Sequence, residues 1–378
     1  MKNHYFNREQ SEAKHDILRR YLVPFANKIL SKWHSIDYID GFSGPWRNVD
    51  TERLSDTSIG VSLQTLHEVA EKRGHTRQDR RIRCIFNEAD PASYGLLQSF
   101  VKSADVDFPL IKVVTFNGRF AENAKSIRSA ADHTFQLLFV DPTGYSGFPP
   151  SSLEHFKGRS SEVIVNFMRS FIERFVASGH RDRDQKLIEL LGQKRAQYLL
   201  DTGLSIETVE GEYLRMLRGD LGYKFSGYSP IHNPDRNEIH FNLAYATNHF
   251  EGMEVMRGAE FGALSSHDRK RFEKSVRNDG PSLFDAFNDE MEIRGPYLTA
   301  RQNHREQASK ILRDLVIQHP RGIAFGEFAA TAQQSLFLKR AELGDVIVEL
   351  AKQRVIQATW QERGGQKPVT NDLILPYG

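Results

Sequence analysis

The sequence predicts an α/β fold: a Rossmann-like, doubly wound sheet, followed by a smaller module at the carboxyl end. Three observations predict it. Short apolar runs recur over residues 36–167, each closed by turn residues, with helical segments between most of them. Two later runs, Tyr223–Ile231 and Glu238–Thr247, flank the short stretch His232–Asn237 and read as an antiparallel pair at a sheet edge. Beyond residue 300 the pattern is helical three times, then strand, loop and strand.

The first helix is expected over about Ser11–Ser31, where Ile17, Leu18, Tyr21, Leu22, Phe25 and Ile29 form an apolar stripe. Lys14, His15, Arg19 and Arg20 lie beside it, either as a solvated basic face or as contacts for a phosphate or carboxylate. Strand 36–40 ends in Asp40 and runs into Gly41-Phe42-Ser43-Gly44-Pro45-Trp46, a glycine turn that lets backbone approach a ligand. A helix follows at 58–73. The basic loop 71–83 carries Lys72, Arg73, Arg77, Arg80, Arg81 and Arg83. It reads as a solvated loop or as a track for a nucleic-acid backbone.

Strand 82–87 leads to Glu88. An acid ending the second strand of a nucleotide-binding sheet accepts hydrogen bonds from ribose hydroxyls. Asp90-Pro91 looks like the cap and first position of helix 91–103, so Glu88 can instead be a helix N-terminal charge. Strand 110–115 leads to Asn117-Gly118, where Asn117 either faces an adenine or shapes a turn. After helix 119–131 comes strand 135–140. Helix 150–157 and strand 161–167 follow. Asn166, near the end of that strand, orients a substrate or caps the next helix. Residues 168–222 read as a helical insertion, with helices near 185–198 and 205–218. Asn248 and His249 end the last strand, and His249, the best histidine candidate for a cleft, reads as a structural hydrogen-bonding residue before a catalytic one.

Composition bounds the function. The chain has 378 residues, 26% charged and 39% hydrophobic, which suits a globular protein of two domains. A net charge of +2 demands no nucleic-acid partner by itself. The single cysteine, Cys84, lies in an expected strand and reads as a small core residue, so no cysteine metal site forms within the chain. Met1–Arg8 lacks an apolar signal core and no apolar run reaches about 18 residues, so a cytoplasmic protein with no membrane contact is expected.

The most informative stretch follows strand 135–140. It reads Asp141-Pro142-Thr143-Gly144-Tyr145-Ser146-Gly147-Phe148-Pro149. Catalytic loops of open α/β sheets sit just past the carboxyl ends of such strands. Enzymes that methylate exocyclic amines of nucleobases place Asp/Asn-Pro-Pro-Tyr/Phe there, and the Asp40–Trp46 turn is similar to their Asp-x-Phe-x-Gly-x-Gly, with Trp46 in place of the last glycine. Here Thr143-Gly144 adds one residue before the aromatic. The alternative is a strand-ending Asp-Pro turn beside core aromatics.

Five blocks resemble one family: Lys14–Leu22, Tyr38–Pro45, Phe139–Pro149, Val163–Met168 and Ala246–His249. Together they are similar to the three-Cys-motif partner proteins (TcmP), over roughly residues 10–260. The resemblance implies a methyltransferase-type Rossmann-like core and a neighbouring protein that carries three cysteines and is similar to radical-SAM enzymes. On that basis S-adenosylmethionine (SAM) is expected over Asp40, Gly41, Phe42 and Gly44, with Glu88 on its ribose and Asn117 near its adenine. A base of DNA or RNA would enter beside Asp141, Pro142, Tyr145 and Phe148. Asp141 would accept a hydrogen bond from the reacting amine, and Tyr145 or Phe148 would stack on the base. Two other readings stay open. One is a non-catalytic accessory partner; the other is a nuclease that clusters Asp40, Glu88 and Asp141 around a metal.

The core domain is expected over 1–260, a connecting region over 261–300 and a winged-helix domain over 301–378. In the last, helices at His304–Gln318, from Gly322 and at Leu338–Arg354 precede strands Val355–Trp360 and Thr370–Leu375. Such domains contact nucleic acid or protein. In a nucleic-acid role the third helix, with Lys339 and Arg340, enters a groove while Arg363 or Lys367 meets backbone.

Overall fold

A computed structural model describes residues 9–44, 54, 56–131, 134–142, 147–158, 160–177, 182–236, 238–279 and 295–377. They form two compact units, Met1–Asn233 with Glu238–Asn248, and Pro234–Asn237 with His249–Gly378.

The first unit runs α1 (Glu9–Leu30), β1 (Ile36–Asp40), α2 (Ser58–Lys72), β2 (Ile82–Glu88), α3 (Pro91–Asp107), β3 (Ile111–Asn117), α4 (Phe120–Ala130), β4 (Phe135–Val140), α5 (Pro150–Leu153) and β5 (Ser161–Phe167). It continues through α6 (Arg169–Ala177), α7 (Arg183–Leu191), α8 (Gln193–Thr202), α9 (Ile206–Gly219), β6 (Phe225–His232) and β7 (Ile239–Thr247). The strands make one seven-stranded sheet in the order β3-β2-β1-β4-β5-β7-β6. Its first five strands are parallel, and β7 and β6 close it antiparallel. This is a Rossmann-like α/β fold. The central strands β1, β4 and β5 are buried at every position. Helices cover both faces of such a sheet, which is why these strands read as continuous apolar runs.

The chain winds outward from β1 to β3, then returns to the other side of β1 as β4. The direction of winding reverses between β1 and β4, and ligands of such sheets bind outside the carboxyl ends at that point. The strand β7 runs the opposite way. Its end, at Thr247, pairs near the start of β5, and Asn248 donates to Gly158 O (2.8 Å) just before that strand. The Asn248–His249 step therefore leaves the sheet at the edge opposite the cleft, which removes the motive for a catalytic His249.

The basic loop is largely exposed, as the solvated reading expects, and several of its arginines have internal partners. Arg77 and Arg80 share Asp105 at 2.8 and 2.7 Å, Arg81 donates to Trp33 O (3.3 Å), and Arg83 grips Asp37 at 2.6 and 2.7 Å. The helix expected over 185–198 is two helices, split by Gly192 at φ 81°.

The second unit contains α10 (Phe250–Asp279), α11 (Pro296–Gln318), β8 (Ile323–Ala324), α12 (Phe325–Gln333), α13 (Arg340–Lys352) and β9 (Leu373–Ile374). Its own core gathers Leu312, Phe325, Phe328, Leu343, Ile347, Trp360 and Ile374. Two expectations are corrected here. Residues expected to connect, 261–300, contribute the rest of α10 and the start of α11. Their Gly and Ser are tolerated because Met256, Ala259, Ala263 and Leu264 bury one face, and burial outweighs propensity. The expected strand Val355–Trp360 contributes one bridge, Ile356 to Pro376, and Thr359–Arg363 winds into a 3₁₀ turn. Trp360 draws that segment inward, being 1% exposed, and β9 pairs with β8 instead.

Candidate functional site

A cleft of about 820 Å³ opens at the carboxyl ends of β1, β2 and β3, beside the segment that follows β4. Gly41, Phe42, Gly44 and Glu88 line it, four of the residues singled out from the sequence. Asn87, Asp90, Ser93, Arg119, Phe120 and Glu189 join them. Of these six only Asp90 carried a motif, as the expected cap of helix 91–103. Asn87 and Arg119 had only their nearness to Glu88 and Asn117 to mark them, and Glu189 lies far away in sequence.

Each wall is held by local chemistry. Asp40 is fully buried. Its carboxylate accepts from the Phe42 N–H (3.0 Å) and the Ser58 hydroxyl (2.6 Å), tying the glycine turn to the start of α2. Burial pushes its pKa up to about 6, while those two donors pull the other way. Asp40 is therefore the anchor of the turn and not part of the lining, a correction to its expected cofactor contact. Asn87 stitches neighbouring loops: its amide donates to Gly41 O (3.2 Å) and Gly118 O (3.1 Å) and accepts from Asn123 (2.8 Å).

Glu88 stands at the end of β2. Its Oε1 accepts from the Asp90 N–H (2.7 Å), and burial raises its pKa against the pull of backbone donors. A Cβ built on Gly44 would lie 1.8 Å from Glu88 Oε2. The glycine thus leaves the space that the carboxylate occupies. Asn117 sits beside Glu88 in the sheet register, but its amide donates to Glu88 O (3.0 Å) and it lies outside the lining. Arg119, two residues on, lines the cleft instead.

The loop after β4 departs from expectation. Phe148 is 3% exposed and meets Phe42 edge-on at 6.2 Å. It is a core residue with no free face for a base. Tyr145 and Trp46 lie outside the described residues, and Pro142 is buried. Asp141 is engaged twice: Oδ1 accepts from Asn166 Nδ2 (2.7 Å) and Oδ2 pairs with Lys14 Nζ. Lys14 comes from α1 and lies 5.8 Å from the centre of the Phe241 ring.

Asp40, Glu88 and Asp141 have separate partners. Among the described residues no three Asp, Glu, His or Cys side chains gather as metal ligands would. The expected nucleic-acid contacts in the second unit are also internally engaged. Lys339 lies 4.1 Å above the Phe261 ring, Arg340 meets Thr370 (2.9 Å) and Glu254 (3.2 Å), Arg363 holds Asp372 (2.8 Å), and Lys367 pairs with Asp345.

No family model matches this chain, and no match was found among curated proteins.

Proposed function

We propose that this chain is a SAM-dependent methyltransferase whose acceptor is an amino group of a DNA or RNA base. The observation that carries the reading is the Glu88 carboxylate, seated across the glycine turn in space that only Gly44 leaves open. That arrangement suits the paired hydroxyls of a ribose held against backbone. The sheet order, with its antiparallel final pair, resembles the methyltransferase arrangement and supports the same reading.

Charge supports a nucleoside over a dinucleotide. Glu88, Asp90 and Glu189 outnumber Arg119 in the cleft, which disfavours a pyrophosphate. The helix that would receive one, α2, already has its N-terminus capped, since Gly60 N–H donates to Thr57 Oγ1 (3.2 Å). The volume is within the range of small-ligand sites. SAM, when bound, would supply an electrophilic methyl group on a sulfonium. Glu88 would hold its ribose, the Gly41–Gly44 backbone would face its amino-acid part, and Asp40 would keep that turn rigid. An amine entering at the ends of β4 and β5 would be aligned by neighbouring acceptors, so positioning would supply most of the acceleration.

The second unit supports a nucleic-acid role only through its element order. Helix, strand, helix, helix and a strand returning to the first resembles a winged helix. Lys367 sits in an exposed ion pair with Asp345, which is weak enough for phosphate to replace. One observation favours a second reading, an accessory partner of a three-Cys-motif radical-SAM-like protein: Asp141 is already neutralised by Lys14.

Titration calorimetry with SAM tests the first reading. Binding is expected, and Glu88→Ala should weaken it by about 1–3 kcal/mol, the scale of a lost hydrogen bond to a charged group. Unchanged affinity in a folded variant removes the ribose role. No binding to the parent leaves the accessory reading standing.

A further inference from the structure

We infer that Asn166 supplies the side-chain acceptor for the incoming substrate, that Asp141 and Lys14 position it, and that the group it receives is an uncharged amine of a nucleic-acid base. The inference rests on the reading of this sheet edge as the acceptor side of a methyltransferase.

Asp141 has little left to offer a substrate. One of its oxygens accepts from Asn166 Nδ2 at 2.7 Å and the other is paired with Lys14. The two charged side chains are only 11% and 15% exposed, so a competing amine would have to separate an ion pair that water barely reaches. Asn166 is different. Its Nδ2 donates to Asp141 and to Met168 Sδ (3.2 Å), which settles which end of the amide is which. Among the described residues nothing donates to its Oδ1, which is buried in a residue 3% exposed. A buried acceptor left without a donor is costly, and a bound water or an incoming ligand group can supply that donor. The site lies at the carboxyl end of β5, next to the end of β4, where ligands of such sheets sit.

The neighbourhood also selects the donor. Lys14 Nζ stands on the far oxygen of Asp141. The Lys14–Asp141 pair carries no net charge, so a cationic donor, such as a lysine ammonium or a guanidinium, would be desolvated there with no free carboxylate to compensate it. A neutral N–H needs no such compensation. Exocyclic amines of adenine and cytosine are neutral, carry the hydrogen that Oδ1 lacks, and are the acceptors the proposed chemistry needs.

The test separates the two ideas. SAM affinity is measured by calorimetry for the parent and Asn166→Ala. Binding of single-stranded DNA and RNA rich in adenine or cytosine is measured separately by fluorescence anisotropy, without SAM. Asn166→Ala should leave SAM affinity within about twofold and weaken the oligonucleotides about tenfold or more. Asn166→Thr, which keeps an oxygen acceptor, should recover part of the loss. Lys14→Gln should raise the relative binding of a lysine- and arginine-rich peptide. Equal oligonucleotide affinity for parent and Asn166→Ala overturns the inference, as does a parent that binds no oligonucleotide. Loss in Asn166→Ala without recovery in Asn166→Thr, or an equal fall in SAM affinity, assigns Asn166 a structural role and also overturns it. A parent that binds oligonucleotide through Asn166 but never SAM sinks the methyltransferase reading alone.

Discussion

At the scale of single residues, Asp40 is where pH reaches the site. Burial holds its carboxyl at about 6, against an ordinary 3.8. Between those values the folded protein keeps a proton that the unfolded chain has released. Stability must therefore fall as pH rises through about 4 to 6, and the whole cost is present above about pH 6, on the order of 2–3 kcal/mol. Asp40→Asn cannot titrate. Urea unfolding of both proteins from acid to neutral pH should show the parent losing stability relative to Asp40→Asn across that window. Parallel profiles would mean that Asp40 titrates like an exposed carboxylate. The same residue shows how a motif can mislead about role. An acid closing the first strand was legible, but whether its oxygens face a ligand or the turn beneath it depends on Ser58, eighteen positions away along the chain.

At the scale of elements, the strands formed where short apolar runs stood, and their ends moved by little. The helical insertion was harder. A 3.6-residue rhythm continues across Gly192, yet the backbone there sits at φ 81° and ψ 158°, a region that essentially only glycine occupies. Among the described residues nothing lies within 4 Å of a Cβ built on it, so the strain is conformational. Gly192→Ala should lower stability by about 1–3 kcal/mol, seen as a lower denaturation midpoint with unchanged slope. An unchanged midpoint would show that the break between α7 and α8 has no conformational requirement. Since α7 brings Glu189 to the cleft, ligand affinity should drop in the same variant.

At the scale of the whole molecule, the two units have separate cores, one built around β4, β5 and the insertion helices, the other on α11, α12 and α13. The boundary falls after Asn248, not near residue 260 or 300. A cut at 300 would divide α11 and strand α10, whereas a cut after Asn248 respects both cores. The fragment ending at Asn248 should keep the SAM affinity of the full chain within about twofold. It should bind nucleic acid more weakly than the full chain, with a shallower salt dependence, because fewer phosphates are neutralised. If the fragment binds nucleic acid as the full chain does, with the same salt slope, the second unit is a protein-contact module.

The sequence by itself determined the fold class, the position of nearly every strand, and the candidate turn and acid at the ends of β1 and β2. Those features depend on local chemistry: apolar runs that must be buried, and turn residues that must end them. Tertiary structure alone decided which side chains share the cleft. Glu189 arrives from an insertion, Lys14 crosses from the first helix to neutralise Asp141, and Phe148 turns inward against Phe42. Long-range partners of this kind leave no periodicity to read. A carboxylate or an aromatic ring looks the same in sequence whether it meets a ligand, a lysine or the core.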